Sequence, residues 1–152
     1  MKHYIVRCGL SALVAVAVVS CSSMGPAASV AGSLFDKMGG SKNVTSIASD
    51  LVSSSIKDPR LAGLTAGKTV DAAAASNKVS DQLCAALGGG CKAPLSDAQL
   101  ASAASKVTPG QSQAISDNFT SALSRVVSDP SVRSLVSNAV GSKLPGILGS
   151  VL

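Results

Sequence analysis

The chain has 152 residues, with thirteen basic and eight acidic side chains, one histidine, and only three aromatics, Tyr4, Phe35 and Phe119. That length suits a single domain, and a sequence dominated by Ala, Ser, Val, Leu and Gly leans helical rather than β. The basic residues are scattered, without clusters or interleaved aromatics, so nothing supports binding to nucleic acid.

The first twenty residues read as an export signal. "MKHYIVR" carries Lys2 and Arg7, "CGLSALVAVAVV" is an apolar run, and "VVSC" places small residues before a cysteine. A charged start, a short apolar stretch and small residues before a cut make a secretory signal over residues 1–20, too short for a spanning helix with proper flanks. Val18-Val19-Ser20-Cys21 resembles a bacterial lipobox. That resemblance implies cleavage before Cys21, acylation of Cys21, and a membrane partner reached through lipid rather than through a spanning helix. With Ser22 rather than Asp behind the cysteine, likeness to Gram-negative sorting rules implies an outer-membrane lipoprotein facing the periplasm. The alternative is an ordinary signal peptide followed by a chance cysteine.

Cleavage at this point changes the inventory. Lys2 and Arg7 leave, so eleven basic residues face eight acidic ones and the net charge falls to +3. His3, the only histidine, and Tyr4, the only tyrosine, leave as well.

Residues 21–32, with "SSMGPAASVAG" after the cysteine, read as a flexible tether, leaving 33–152 as the domain. "SLFDKMGG" opens the domain as a short helix stopped by Gly39-Gly40. Val44, Ile47, Ala48, Leu51, Val52 and a site near Ile56 keep a helical period up to Pro59. "AGLTAGKT" reads as a loop. A second long helix follows, with Ala72, Ala75, Val79, Leu83 and Leu87 on one face and a triple glycine at its end. Ser96 and Gln99 form a capping box, with Leu95 and Leu100 at hydrophobic-staple positions, and open a short helix. Thr108, Pro109 and Gln111 repeat that signal before a helix presenting Ile115, Phe119, Ala122 and Val126. Asp129-Pro130 opens the last helix, with Val132, Leu135, Val136, Ala139 and Val140 on one face and an end frayed by Gly141 and Pro145. No segment reads as a strand, so the fold class is all-α, with five or six helices.

The order "LFDKMGG", "KDPRLAGLTAG", "CAALGGGC", "VTPGQSQAISDNFTSAL" resembles the group I truncated haemoglobins across residues 33–148. The resemblance implies a two-over-two helical sandwich around haem, with glycine pairs ending its first and distal helices. The family's haem-contacting positions are where this chain departs. Counting back from Thr108 places Ser102 at the proximal histidine, and Val52 stands at the distal tyrosine. Ala75 and Val79 occupy the two distal-helix positions, and Leu64-Thr65 replace an aromatic pair. Globin iron needs an axial ligand, usually a neutral imidazole, and an unactivated serine hydroxyl is a poor substitute. Cys84, Met24 and Met38 are the remaining soft candidates. Haem is therefore a cofactor by resemblance only, and no metal site is expected.

Cys84 and Cys91 admit several readings. Zinc would require closer ligand spacing and two further ligands, and a redox CxxC pair has two intervening residues rather than six. Export to an oxidising compartment favours a disulfide, stabilising by about 2 kcal/mol for so short a loop. The alternative is two small buried thiols, as some truncated globins carry. Ser102 and Lys106 stand four apart on a helix and invite a Ser–Lys nucleophile, against the plainer reading of a serine-rich face with a solvated lysine. Gly88-Gly89-Gly90 follows a helix rather than opening one, which excludes a phosphate loop.

These observations point to a non-enzymatic envelope lipoprotein whose globin-like domain lacks its haem site and serves as a structural or binding module. Its partner would be a protein or a small apolar ligand. The alternatives are a haem-binding globin with unusual ligation, acting on oxygen or nitric oxide, and an unrelated small helical lipoprotein.

Overall fold

The computed structural model describes residues 34–152, which are helices and connecting turns with no strand among them. The chain is therefore all-α over this range. The expected signal peptide (1–20), the expected acylation site Cys21 and the expected tether (21–32), with Met24, lie outside the described residues.

A helical turn, α1 (34–37), buries Leu34 and leads to Met38, also buried. Gly39 and Gly40 then take φ values of 93° and 70°. Only glycine enters that left-handed region without a steric penalty, so the pair lets the chain turn at once into α2 (Gly40–Lys57). Helix α2 buries Val44, Ile47, Ala48, Leu51, Val52 and Ser55. The expected site at Ile56 is displaced: Ser55, four residues after Leu51, continues the stripe, and Ile56 is 36% exposed. Ser55 Oγ is fully buried and finds no hydrogen-bond partner among the described residues.

Asp58 and Pro59 end α2 and start a 3-10 turn, Pro59–Leu61, which runs into the four-residue helix α3 (Ala62–Thr65). The stretch read as a loop is thus partly helical. An Asp cap, a proline preset for the first turn and the buried Leu61 together nucleate it.

Helix α4 (Ala72–Ala86) is capped by Asp71, which accepts from the N–H groups of Ala73 and Ala74 at 2.9 and 3.1 Å. It buries Ala75, Val79, Gln82, Leu83 and Cys84. Ala72 is exposed instead of joining that face, because it lines a surface groove with Thr45, Ser49 and Ser53 of α2. The C-terminus of α4 is a Schellman motif. Gly89 N–H donates to Cys84 O at 2.8 Å, Gly88 N–H donates to Ala85 O at 3.2 Å, and Gly88 has φ 77°.

Both capping boxes form. Ser96 and Gln99 bond reciprocally at the start of α5 (Asp97–Ala104), and Thr108 and Gln111 do so at the start of α6 (Pro109–Val126). Helix α6 buries Ala114, Ile115, Phe119, Ala122 and Leu123, with Val126 only half-buried. Asp129 caps α7 (Pro130–Val140), whose buried residues are Val132, Val136 and Val140. Leu135 and Ala139, expected on the same face, are exposed, since a single row at four-residue spacing satisfies this helix's limited contact with α4 and α6.

The chain end is the largest departure from expectation. Instead of fraying, it forms α8 (Leu144–Val151), which buries Leu144, Gly146, Ile147 and Leu148. Pro145 falls in the first turn, where a missing N–H is harmless. Gly146 lies against the backbone of Leu100, and a Cβ on Gly149 would meet Val107 Cγ2 at 2.9 Å and Ala103 O at 3.0 Å. The two glycines are what let α8 press directly onto α5.

The core is one contiguous cluster. Helix α2 packs along α4 and α6, while α8 covers α5 and reaches α6 and α4. Its members are mostly Val, Ala, Leu and Ile, with Phe119 the only fully buried aromatic among the described residues.

Candidate functional site

Three of the four pocket-equivalent positions point inward. Val52 and Val79 are fully buried and Ala75 is 4% exposed, all within the contiguous core. Ser102 is not with them. It is exposed on the outer side of α5, whose inward residues are Leu100 and Ala103. Helical geometry accounts for this, because Leu100 and Ala103 are three apart on one face and Ser102 lies about 100° away from Ala103. A shift of register by one residue would bring Ala103 to the position, which offers no ligand either.

The residues present do not fit haem. Neither histidine nor tyrosine occurs among the described residues. Cys84 and Cys91 are joined as a disulfide, so neither offers a thiolate. Met38 is buried beside the first turn of the domain, and the Val52, Ala75 and Val79 side chains pack among core neighbours with almost no exposed surface. No group of three or more His, Cys, Asp or Glu residues that could hold a metal occurs among the described residues.

The Ser102–Lys106 pair is also without catalytic geometry. Ser102 is exposed on α5 and Lys106 is exposed in the turn that follows it, while the Ser102 carbonyl accepts from Ser105 Oγ at 2.9 Å.

Two constellations escaped sequence reasoning. The first surrounds the disulfide. Cys84 is buried at the end of α4, and a Cβ on Gly89 would lie 2.6 Å from Cys84 Sγ and from the edge of the Phe35 ring. Phe35 of α1 is thus seated on the disulfide loop. The connection that runs on from the disulfide loop to α5 is held separately at its far end: Leu95 N–H donates to Gln82 Oε1 at 3.1 Å, and Gln82 Nε2 donates to Leu95 O at 3.3 Å. The sequence signals the loop through its glycines and cysteines, but nothing local marks Phe35 or Gln82 as its partners.

The second constellation is polar. Arg60 donates from Nε and Nη2 to Asp58 at 3.1 and 2.8 Å, and from Nη1 to Asp117 at 2.8 Å. Asn118 Nδ2 also donates to Asp58 at 3.1 Å, and Gln113 Nε2 donates to Asp117 at 2.9 Å. The Arg60 side chain, then its backbone N–H, hold the Asp58 carboxyl down at about 2, below the ordinary 3.8. Asp117 is likewise lowered, by Arg60 first and Gln113 second, and Arg60 is raised in turn by Asp58 and Asp117. This network ties the 3-10 turn to α6. "DPR" announces the local cap, but Asp117 and Asn118 are more than fifty residues away and only the tertiary fold brings them near.

Surface depressions complete the inventory. A groove of about 450 Å³ between α2 and α4 is lined by hydroxyls and small side chains, including Thr45, Ser49 and Ser76. Another of about 430 Å³ lies between α4 and the start of α5, beside the Lys143–Asp97 ion pair of 3.0 Å. No helix among the described residues is long and apolar enough to cross a membrane. No protein-family model, curated protein or solved structure matches this chain.

Proposed function

We propose that this chain is a lipid-anchored envelope protein whose helical domain works without haem, as a structural or binding module of truncated-globin-like design. The carrying observation is the contrast between landmarks and site. The glycine turns after α1 and α4 come from the motifs that carry the resemblance, yet Val52, Ala75 and Val79 fill the interior and Ser102 faces solvent. Lipid anchoring through Cys21 rests on the "VVSC" pattern and on the basic, apolar stretch that precedes it.

A second reading, an unrelated helical lipoprotein, has two specific observations in its favour. The proximal position lies on the wrong side of α5, and α8 closes the domain through a glycine contact that the resemblance does not call for. Both readings share a described domain without histidine, tyrosine or a free thiolate to ligate iron.

Haem binding is tested by adding haemin to the mature, exported protein and recording the visible spectrum. The expected outcome is the broad band of free or loosely associated haemin. A sharp Soret band at one haem per chain would overturn the haem-free reading.

A further inference from the structure

We propose that the Cys84–Cys91 disulfide is a redox-sensitive latch that holds α1, and with it the membrane-proximal end of the domain, against the core. The disulfide is not the main support of α4. The Schellman turn ends that helix through backbone hydrogen bonds, and Ala75, Val79 and Leu83 fix its body in the core. What the sulfurs brace is the 88–91 segment, in which Gly88 and Gly90 adopt φ values of 77° and 74°. Glycines gain more conformational freedom than other residues once a constraint is lifted. Gly89 lies between them, and a Cβ there would meet both Cys84 Sγ and the edge of the Phe35 ring, so the ring packs over Gly89 on the side of that sulfur.

The far end of the connection to α5 is secured without sulfur, by the two hydrogen bonds between Gln82 and the Leu95 backbone. Opening the disulfide therefore leaves the stretch under Phe35 held by the backbone hydrogen bonds of Gly88 and Gly89 alone, while the far end stays fixed. Cys91 is half-buried and is the sulfur open to attack, whereas Cys84 is 2% exposed. A dithiol reductant attacks Cys91 Sγ, the S–S bond breaks, and Cys84 leaves as a thiolate. The second reductant thiolate then displaces Cys91 and closes the reductant's own disulfide. Two electrons pass to the protein, and its two thiolates take up two protons.

Residues 34–39, once released, would lengthen the connection to the anchor by at most about 20 Å. That consequence for reach rests on the lipid-anchor reading; the latch itself does not.

The test is hydrogen exchange on the full exported protein, with and without dithiothreitol, with a thiol count to establish reduction. Met38 and Gly39 N–H groups donate to Leu34 and Asp36 carbonyls at 3.0 and 2.9 Å and report the docking of α1. Their exchange should accelerate roughly tenfold or more on reduction, while α6 and α8 amides keep their protection. Phe35→Ala in the oxidised protein should produce the same local acceleration without free thiols. Unchanged α1 exchange after reduction, loss of protection throughout α6 and α8, or resistance of the folded protein to the reductant would each overturn the latch. A Cys21→Ala chain keeps the exchange response even if anchoring is lost, which separates failure of the latch from failure of the anchor.

Discussion

Two neighbouring glycines show how different reasons lead to the same residue. Gly89 needs no unusual backbone angle, but a Cβ there would collide with a disulfide sulfur and a ring edge, neither of which can swing away. Gly90 has open space around it and a φ of 74°, which a side chain tolerates poorly. Gly89→Ala should therefore destabilise by about 1–3 kcal/mol through overpacking and should disturb Phe35. Gly90→Ala should cost about 1 kcal/mol through backbone strain alone, leaving Phe35 in place. Urea denaturation of both variants, with Phe35 packing followed by aromatic NMR shifts, distinguishes them. Equal losses with equal disturbance of the ring would contradict the contact argument. The buried Ser55 hydroxyl, without a hydrogen-bond partner among the described residues, makes a related point. A residue type that looks like surface in sequence can lie on the core stripe when the helical period demands it.

At the scale of elements, what was legible in the sequence was what is local. The capping boxes at Ser96 and Thr108 formed because cap and partner are three residues apart, and the end of α4 followed from its glycines. Choices made by the tertiary fold were not legible. Ile56 and Leu135 are apolar yet exposed, and α8 forms through Gly146 and Gly149, which in isolation weaken a helix but here allow close contact with α5. The candidate site was legible in part: the disulfide cysteines could be paired, whereas Ser102 was counted to a position that faces water. The Asp58–Arg60–Asp117 network belongs to this scale because it joins the 3-10 turn to α6. Asp58 titrates at about 2 in the folded chain and near 3.8 when exposed, so the unfolded chain binds its proton first as pH falls. Its stabilising contribution is complete above the unfolded value and is lost as pH drops through about 2. Stability measured from pH 5 down to pH 2 should therefore decline more steeply in the wild-type chain than in Asp58→Asn, whose cap survives but whose charge is gone. Parallel curves for the two proteins would show that this carboxylate carries no pH-dependent stabilisation.

For the molecule as a whole, the surface makes a specific demand on the N-terminus. Among the described residues only Ile56 and Leu135 are large apolar side chains left exposed, at 36% and 51%, and they lie on different helices. Two such side chains offer far less apolar area than an acyl chain, which contributes about 0.8 kcal/mol per buried methylene. Electrostatic attraction is weak as well, since the net charge of +3 over residues 34–152, eleven basic against eight acidic side chains, is scattered and forms no polybasic patch. The described surface thus offers little to hold a membrane, and Cys21 is the proposed site of attachment. Replacing Cys21 with Ala should move the exported protein from the carbonate-washed membrane fraction into the soluble fraction. The helical circular-dichroism spectrum should be unchanged, because residues 34–152 carry a contiguous core of their own. A Cys21→Ala protein that stayed in washed membranes would place the attachment elsewhere, whereas one that became soluble but lost its helical signal would mean that the anchor supports the fold.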